Sequence, residues 1–147
     1  MDRLQGNFAK DGARMGCQLR VLRVVLRASD PELAGHLAAA GAGDMLCAYR
    51  WLLVLFKREL AFDQALRLWD ALWTGQPCAH LPVLLAAGLL RRRREDILRG
   101  CRDADAVVQA CLAWAGDLDV EEMLRDAADV YGGLGERTQR MLRELTP

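Results

Sequence analysis

The sequence holds one isoleucine, three threonines and few valines among 147 residues, so it offers little of the β-branched material that fills strands. An all-α fold is the expectation. Net charge is missing as well, with 20 Lys+Arg against 20 Asp+Glu. A protein that grips several phosphates by counterion release carries a basic excess, and an acidic disordered tail carries the opposite. The balance argues against both, so no nucleic-acid partner is expected. Long apolar runs are absent too. The longest, Trp51-Leu52-Leu53-Val54-Leu55-Phe56, follows Arg50 and is closed by Lys57-Arg58-Glu59. It falls far short of the roughly twenty apolar residues that cross a bilayer, and no transmembrane segment is expected. The five cysteines, Cys17, Cys47, Cys78, Cys101 and Cys111, contain no CxxC pair and no histidine at ligand spacing. Neither a metal site nor a disulfide framework is expected; they read as small apolar residues in a reducing compartment. Residues 1–12 resemble neither a signal peptide nor a transit sequence, so a cytoplasmic location is expected.

The length allows one domain at most, burying roughly two-thirds of its unfolded surface. Helical periodicity then organises the chain. Polar residues 1–12 read as a loop, and Met15, Leu19, Leu22 and Leu26 mark a helix over 13–28. Ser29-Asp30-Pro31-Glu32 combines a cap, a proline for the first turn and an acid at the positive end of the dipole; Gly41-Ala42-Gly43 ends the short helix it starts. Asp44 is expected to cap one apolar central helix running through Glu59. Phe62, Ala65, Leu66, Trp69, Leu72 and Trp73 share one face of the next helix, with Asp63 and Arg67 paired at i,i+4 on the other side before Thr74-Gly75-Gln76-Pro77.

Residues 81–90 form an apolar segment followed by Arg91-Arg92-Arg93-Arg94-Glu95-Asp96. Four consecutive helical residues point around the whole circumference and make no single binding face, so the run reads as a solvated helix end. Asp103 or Asp105 starts a helix that Gly116 stops. Asp119 with Glu122 forms a capping box for a helix with the stripe Val120, Met123, Leu124, Ala127 and Tyr131. A charged helix over 134–145 closes a count of eight or nine.

Catalytic patterns are wanting. His36 and His80 have no Cys, Ser or acid partner at a recognisable spacing, and neither a phosphate-binding GxxxxGK[ST] or GxGxxG nor a zinc-binding HExxH occurs. No cofactor is expected.

Two clusters carry a resemblance. Tyr49-Arg50-Trp51-Leu52-Leu53-Val54-Leu55-Phe56-Lys57-Arg58-Glu59, followed by Leu66-Arg67-Leu68-Trp69-Asp70 and Trp73, resembles the C-terminal signature of TBC-domain Rab GTPase-activating proteins. Met1-Asp2-Arg3, Asn7-Phe8, Asp11-Gly12, Met15 and Gln18-Leu19 are similar to the segment that precedes it. The likeness is strongest over 1–74 and fades by about residue 130. It implies a single partial domain over 1–147, a multi-helix orthogonal array corresponding to the C-terminal half of the TBC fold. It also implies a Rab-type small GTPase as partner, in vesicle trafficking, on the periphery of endomembranes.

Catalysis in that family rests on an arginine in IPxDxxR, which neutralises charge on the transferring phosphoryl group and is worth about a thousandfold or more, and on a glutamine in YxQG that orients water. Neither motif occurs here. Arg50 and Arg58 stand in another context, Gln5 follows Leu4 and Gln18 follows Cys17, so no catalytic residue is expected. The signature positions Arg50, Trp51, Phe56, Lys57, Arg58, Glu59, Leu68, Trp69, Asp70 and Trp73 read as scaffold, with an ion pair among Arg50, Arg58 and Glu59 fixing the register of two packed helices. A half-domain is expected to expose an apolar face and self-associate. The alternative is a non-catalytic helical protein-interaction module.

Overall fold

The computed structural model describes residues 12–146, so the motif residues Met1-Asp2-Arg3, Asn7-Phe8 and Asp11 lie outside the described residues. Among the described residues there are nine α-helices and no strand: α1 Ala13–Ser29, α2 Pro31–Ala39, α3 Tyr49–Leu53, α4 Phe62–Trp73, α5 Leu81–Arg92, α6 Arg94–Gly100, α7 Ala104–Ala113, α8 Val120–Gly133 and α9 Glu136–Glu144. A 3-10 turn, Leu46–Ala48, leads into α3.

Helix starts follow local chemistry. Asp30 Oδ1 accepts the Leu33 N–H at 3.2 Å with Pro31 in the first turn, and Asp103 Oδ1 accepts the Ala106 N–H at 2.7 Å. Asp119 Oδ1 accepts the Glu122 N–H at 2.9 Å, but the capping box stays half closed because the Glu122 carboxylate turns to Arg92, 2.8 Å away. The α8 terminus gains instead a cap from another helix, Gln64 Oε1 accepting the Val120 N–H at 3.1 Å.

The centre is α5, every residue of which from Leu81 to Leu90 is buried. It packs most extensively on α8, and also on α1 and α3. Gly88 permits the α8 crossing: a Cβ there would stand 3.1 Å from Asp126 Cβ and 3.2 Å from its backbone carbon, so only a residue without a side chain lets the two axes approach this closely. At its other end His80 Nε2–H donates to the Leu145 carbonyl at 2.7 Å and fastens the C-terminal segment to the start of α5.

Three expectations are corrected. The run over 45–59 is neither one helix nor the centre: α3 lasts five residues and the chain then reverses through residues 54–60, with Asp44 capping the 3-10 turn by accepting the Leu46 N–H. Asp63 does not pair with Arg67, whose Nε lies 2.8 Å from Glu121 of α8. The four arginines are not merely solvated. They point in different directions, and three of them clasp different elements.

Arg92 grips Asp126 with two nitrogens, at 2.6 and 2.9 Å, while Arg93 reaches Asp117 at 3.0 Å. Arg94 spans back to Asp30 at 2.9 Å and Glu32 at 2.9 Å, tying α6 to the start of α2. Burial pushes the Asp30 carboxyl up. The Arg94 and Leu33 hydrogen bonds and the charges of Arg94 and Arg91 outweigh it and hold Asp30 below its ordinary value.

A carboxyl depressed in the folded state adds stability above its unfolded pKa and loses it as pH falls through the folded pKa. Asp30→Asn keeps a capping oxygen but removes the charge. We expect it to unfold about 1–2 kcal/mol more easily than wild type at pH 7, with the gap closing as pH drops below about 4, in urea titrations read by circular dichroism.

Candidate functional site

The signature residues assemble around a strained reversal. After α3, Leu55 and Phe56 both adopt left-handed backbone, with φ of 50° and 61°, where an L side chain costs about 1–2 kcal/mol per residue. The Phe56 N–H reaches back to the Trp51 carbonyl at 2.8 Å, the six-residue closure of a left-handed helix end. Glycine would meet the backbone demand without strain, but would give no ring to bury. Phe56 and Trp51 are wholly buried and their rings stack at 5.9 Å; Trp51 stacks in turn on Trp114 at 6.0 Å. Burying Phe56 contributes about 1.5–3 kcal/mol and each aromatic pair about 0.5–1.5 kcal/mol more, enough to hold both residues in place.

Polar contacts from three other places converge on the same turn. The Arg50 guanidinium places Nε and a terminal nitrogen each 2.7 Å from Glu59 Oε1, and that carboxylate is fully buried while Arg50 is about one-third exposed. The Trp69 indole N–H of α4 donates to the Leu55 carbonyl at 3.0 Å. Gly116, at φ 84°, donates its N–H to the Glu59 carbonyl at 3.0 Å, and the Arg93 guanidinium lies 5.7 Å above the Trp114 ring. Arg50, Trp51, Phe56, Glu59, Leu68 and Trp69 thus meet in or against one packed unit. Lys57, Arg58, Asp70 and Trp73 stand at the surface. Arg58 takes part in no ion pair among the described residues.

The apolar arc of α4 is wider than the surface that covers it. Ala65, Leu68 and Leu72 enter the core, whereas Phe62 is 78% exposed, Leu66 45% and Trp73 68%, with Trp69 half-buried at their edge. The expected single core face is therefore two adjoining stripes. Contacts with α8 and the reversal occupy one of them, and Phe62, Leu66 and Trp73 line the other at i, i+4 and i+11.

The remaining residues singled out in the sequence serve packing and connection. His36 Nε2–H donates to the Cys101 carbonyl at 2.7 Å. Among the described residues no three His, Cys, Asp or Glu side chains converge as metal ligands, and no helix is long and apolar enough to cross a membrane. Two residues of the site, Trp114 and Gly116, escaped the sequence reading, as did Gln64, which caps α8. Trp114 lies at the end of the helix that Gly116 stops, and Gly116 itself was visible only as that stop.

Removing Arg50 would leave the Glu59 carboxylate buried without its cation. We expect Arg50→Ala to cost about 2–3 kcal/mol in equilibrium unfolding, less than a fully buried pair because Arg50 is partly solvated, while Arg58→Ala stays within about 0.5 kcal/mol of wild type. Equal losses for the two variants would overturn this assignment.

Comparison with known proteins gives the constellation a context. The family described as Rab-GTPase-TBC domain matches residues 1–98. Human TBC1 domain family member 17 is 35% identical over 131 residues, covering 89% of this chain and 20% of its own length. Mouse TBC1 domain family member 21 is 36% identical over 124 residues, covering 84% of this chain and 37% of its own length. GTPase-activating protein gyp7 of Schizosaccharomyces pombe is 34% identical over 124 residues, 84% of this chain and 17% of its own. The chain spans less than two-fifths of each of these relatives. With a family match over two-thirds of its residues and relatives above 30% identity along most of its length, the chain belongs to the Rab-GTPase-TBC domain family.

Proposed function

We propose that this chain is the C-terminal half of a TBC domain and acts as a regulator that engages a Rab-type small GTPase without itself accelerating GTP hydrolysis. The observation that carries the reading is the packed Arg50–Trp73 signature within the span that the family matches. The sequence holds neither IPxDxxR nor YxQG, so no guanidinium or carboxamide stands in the family's catalytic context. Of the arginines in and around the signature, Arg50 is committed to Glu59, Arg67 to Glu121 and Arg93 to Asp117, while Arg58 stands at the surface outside any IPxDxxR context. The place of action that follows is the cytosolic face of endomembranes, in vesicle trafficking.

Single-turnover hydrolysis across a panel of GTP-loaded Rab GTPases tests this. We expect one or more members to bind while hydrolysis stays at the intrinsic rate. Acceleration that disappears on substitution of one arginine would show a catalytic group in this chain; absence of binding throughout the panel would overturn the assigned partner.

The non-catalytic interaction-module reading is favoured by the outer stripe of α4, and in the isolated chain we assign that stripe to a second copy. Phe62, Leu66 and Trp73 stand at i, i+4 and i+11 with the half-buried Trp69 at their edge, the spacing of a helix seam, with Asp63, Arg67 and Asp70 as its polar rim. Antiparallel pairing of two α4 helices sets Phe62 of one copy beside Trp73 of the other. Light scattering should report a concentration-dependent dimer that Phe62→Glu with Trp73→Glu converts to monomer. Both positions are exposed, so the melting temperature of dilute protein should barely move. A wild-type chain that stays monomeric at all concentrations would remove the proposal.

A further inference from the structure

Helix α1, Ala13–Ser29, contains four arginines and no acid, so in a chain of zero net charge the other residues carry a balancing excess of four acids. Its inner side, with Val21, Leu22, Val25 and Leu26, is buried against α2, α3 and α5. Its outer side carries Arg20, Arg23, Val24 and Arg27 at i, i+3, i+4 and i+7, all exposed and bordering one open groove. Arg92, Arg93 and Arg94 are answered by acids of other elements, whereas Arg20, Arg23 and Arg27 take part in no ion pair among the described residues. The acids that follow α1 in sequence, Asp30 and Glu32, are held by Arg94. The negative end of the helix dipole accounts for Arg27, in the last turn, and for neither of the other two.

We propose that the outer face of α1 is a docking surface for an anionic phospholipid bilayer, with Arg20, Arg23 and Arg27 on headgroup phosphates and carboxylates and Val24 set among them. Charge complementarity selects the occupant. The three guanidinia stand side by side along a helix ridge and do not converge on one point, so they suit mobile headgroups that come to each of them separately. An acidic protein would find no aromatic anchor here, because the apolar surface among the arginines is a single valine. The uneven charge also sets an orientation: the basic face is drawn to an anionic leaflet while the acidic remainder of the chain is turned away from it.

Each arginine near such a surface strengthens partition about fivefold, and three together about a hundredfold. That is a weak association, which orients the chain on a leaflet and does not anchor it. Exposed charges are screened by salt, so the contact weakens as ionic strength rises towards the physiological range.

Co-sedimentation of the whole chain with vesicles of phosphatidylserine and phosphatidylcholine in equal parts tests this, beside vesicles of phosphatidylcholine alone, at low and at physiological salt. The expected result is binding to the anionic vesicles only, weakened by salt, with a loss of about a hundredfold when Arg20→Gln, Arg23→Gln and Arg27→Gln are combined. Combining Arg102→Gln, Arg137→Gln and Arg140→Gln, exposed on other segments, removes the same charge and should cost little. All six positions are exposed, so circular dichroism and melting temperature should match wild type in both variants. Equal losses in the two variants, binding that ignores salt, or no binding of wild type to the anionic vesicles would overturn the proposal. Retention on immobilised polyglutamate without vesicle binding would give the face to an acidic protein instead. The vesicles carry no GTPase, so failure here leaves the Rab assignment standing, and failure of that assignment leaves this surface standing.

Discussion

Two left-handed residues in succession, neither of them glycine, are the constraint on which the signature half of this molecule depends. Leu55 and Phe56 reverse the chain directly after a five-residue helix, a conformation that an isolated peptide of this sequence would abandon. What holds it is assembled from afar: Trp114 of the α7 end beneath Trp51, Trp69 of α4 on the Leu55 carbonyl, and Gly116 on the Glu59 carbonyl. The reversal in turn brings Glu59 back to Arg50, nine residues earlier, and closes the turn with a charge pair. Each of these contacts is modest alone. Together they make the turn and its supports one cooperative unit, because loosening the turn exposes two large rings and a buried carboxylate at once.

Arginine does a different job on the other side of α5. The geometric argument that four consecutive helical residues share no face holds, and its consequence is more useful than solvation. Because Arg92, Arg93 and Arg94 diverge, each finds an acid on a separate element: Asp126 and Glu122 on α8, Asp117 in the turn before it, Asp30 and Glu32 at the start of α2. The helix axis itself breaks at Arg93 between α5 and α6. A chain of zero net charge can thus carry a strongly basic stretch without a basic surface, since the compensating acids are folded onto it.

Legibility from sequence tracks how local each determinant is. Helix starts at Asp30, Asp103 and Asp119 were readable because an Asx cap and its N–H partner stand three residues apart. The all-α class and the spans of α1, α4 and α8 followed from periodicity for the same reason. The break after Leu53 was not readable. No glycine or proline marks it, and its left-handed positions are filled by Leu and Phe whose conformation is imposed by burial. Arg67 shows the same competition: a local i,i+4 pair worth about 0.2–0.5 kcal/mol yields to Glu121 on a neighbouring helix. An apolar wheel gives the width of a stripe but not what covers it, which is why Phe62 and Trp73 looked like core.

That last distinction separates two kinds of residue within one signature. Trp51, Phe56, Glu59, Leu68 and Trp69 have their side chains consumed by the fold, so their identity is accounted for by packing alone. Trp73 is not. An indole two-thirds exposed gains little from this chain, and with Phe62 and Leu66 it keeps a continuous apolar band in water. The position of that band is fixed by the buried side of the same helix, since Trp69 anchors α4 to the Leu55 carbonyl and Leu68 and Leu72 set its rotation. The strained turn therefore does more than stabilise itself: it sets the angle at which α4 presents its unpartnered face.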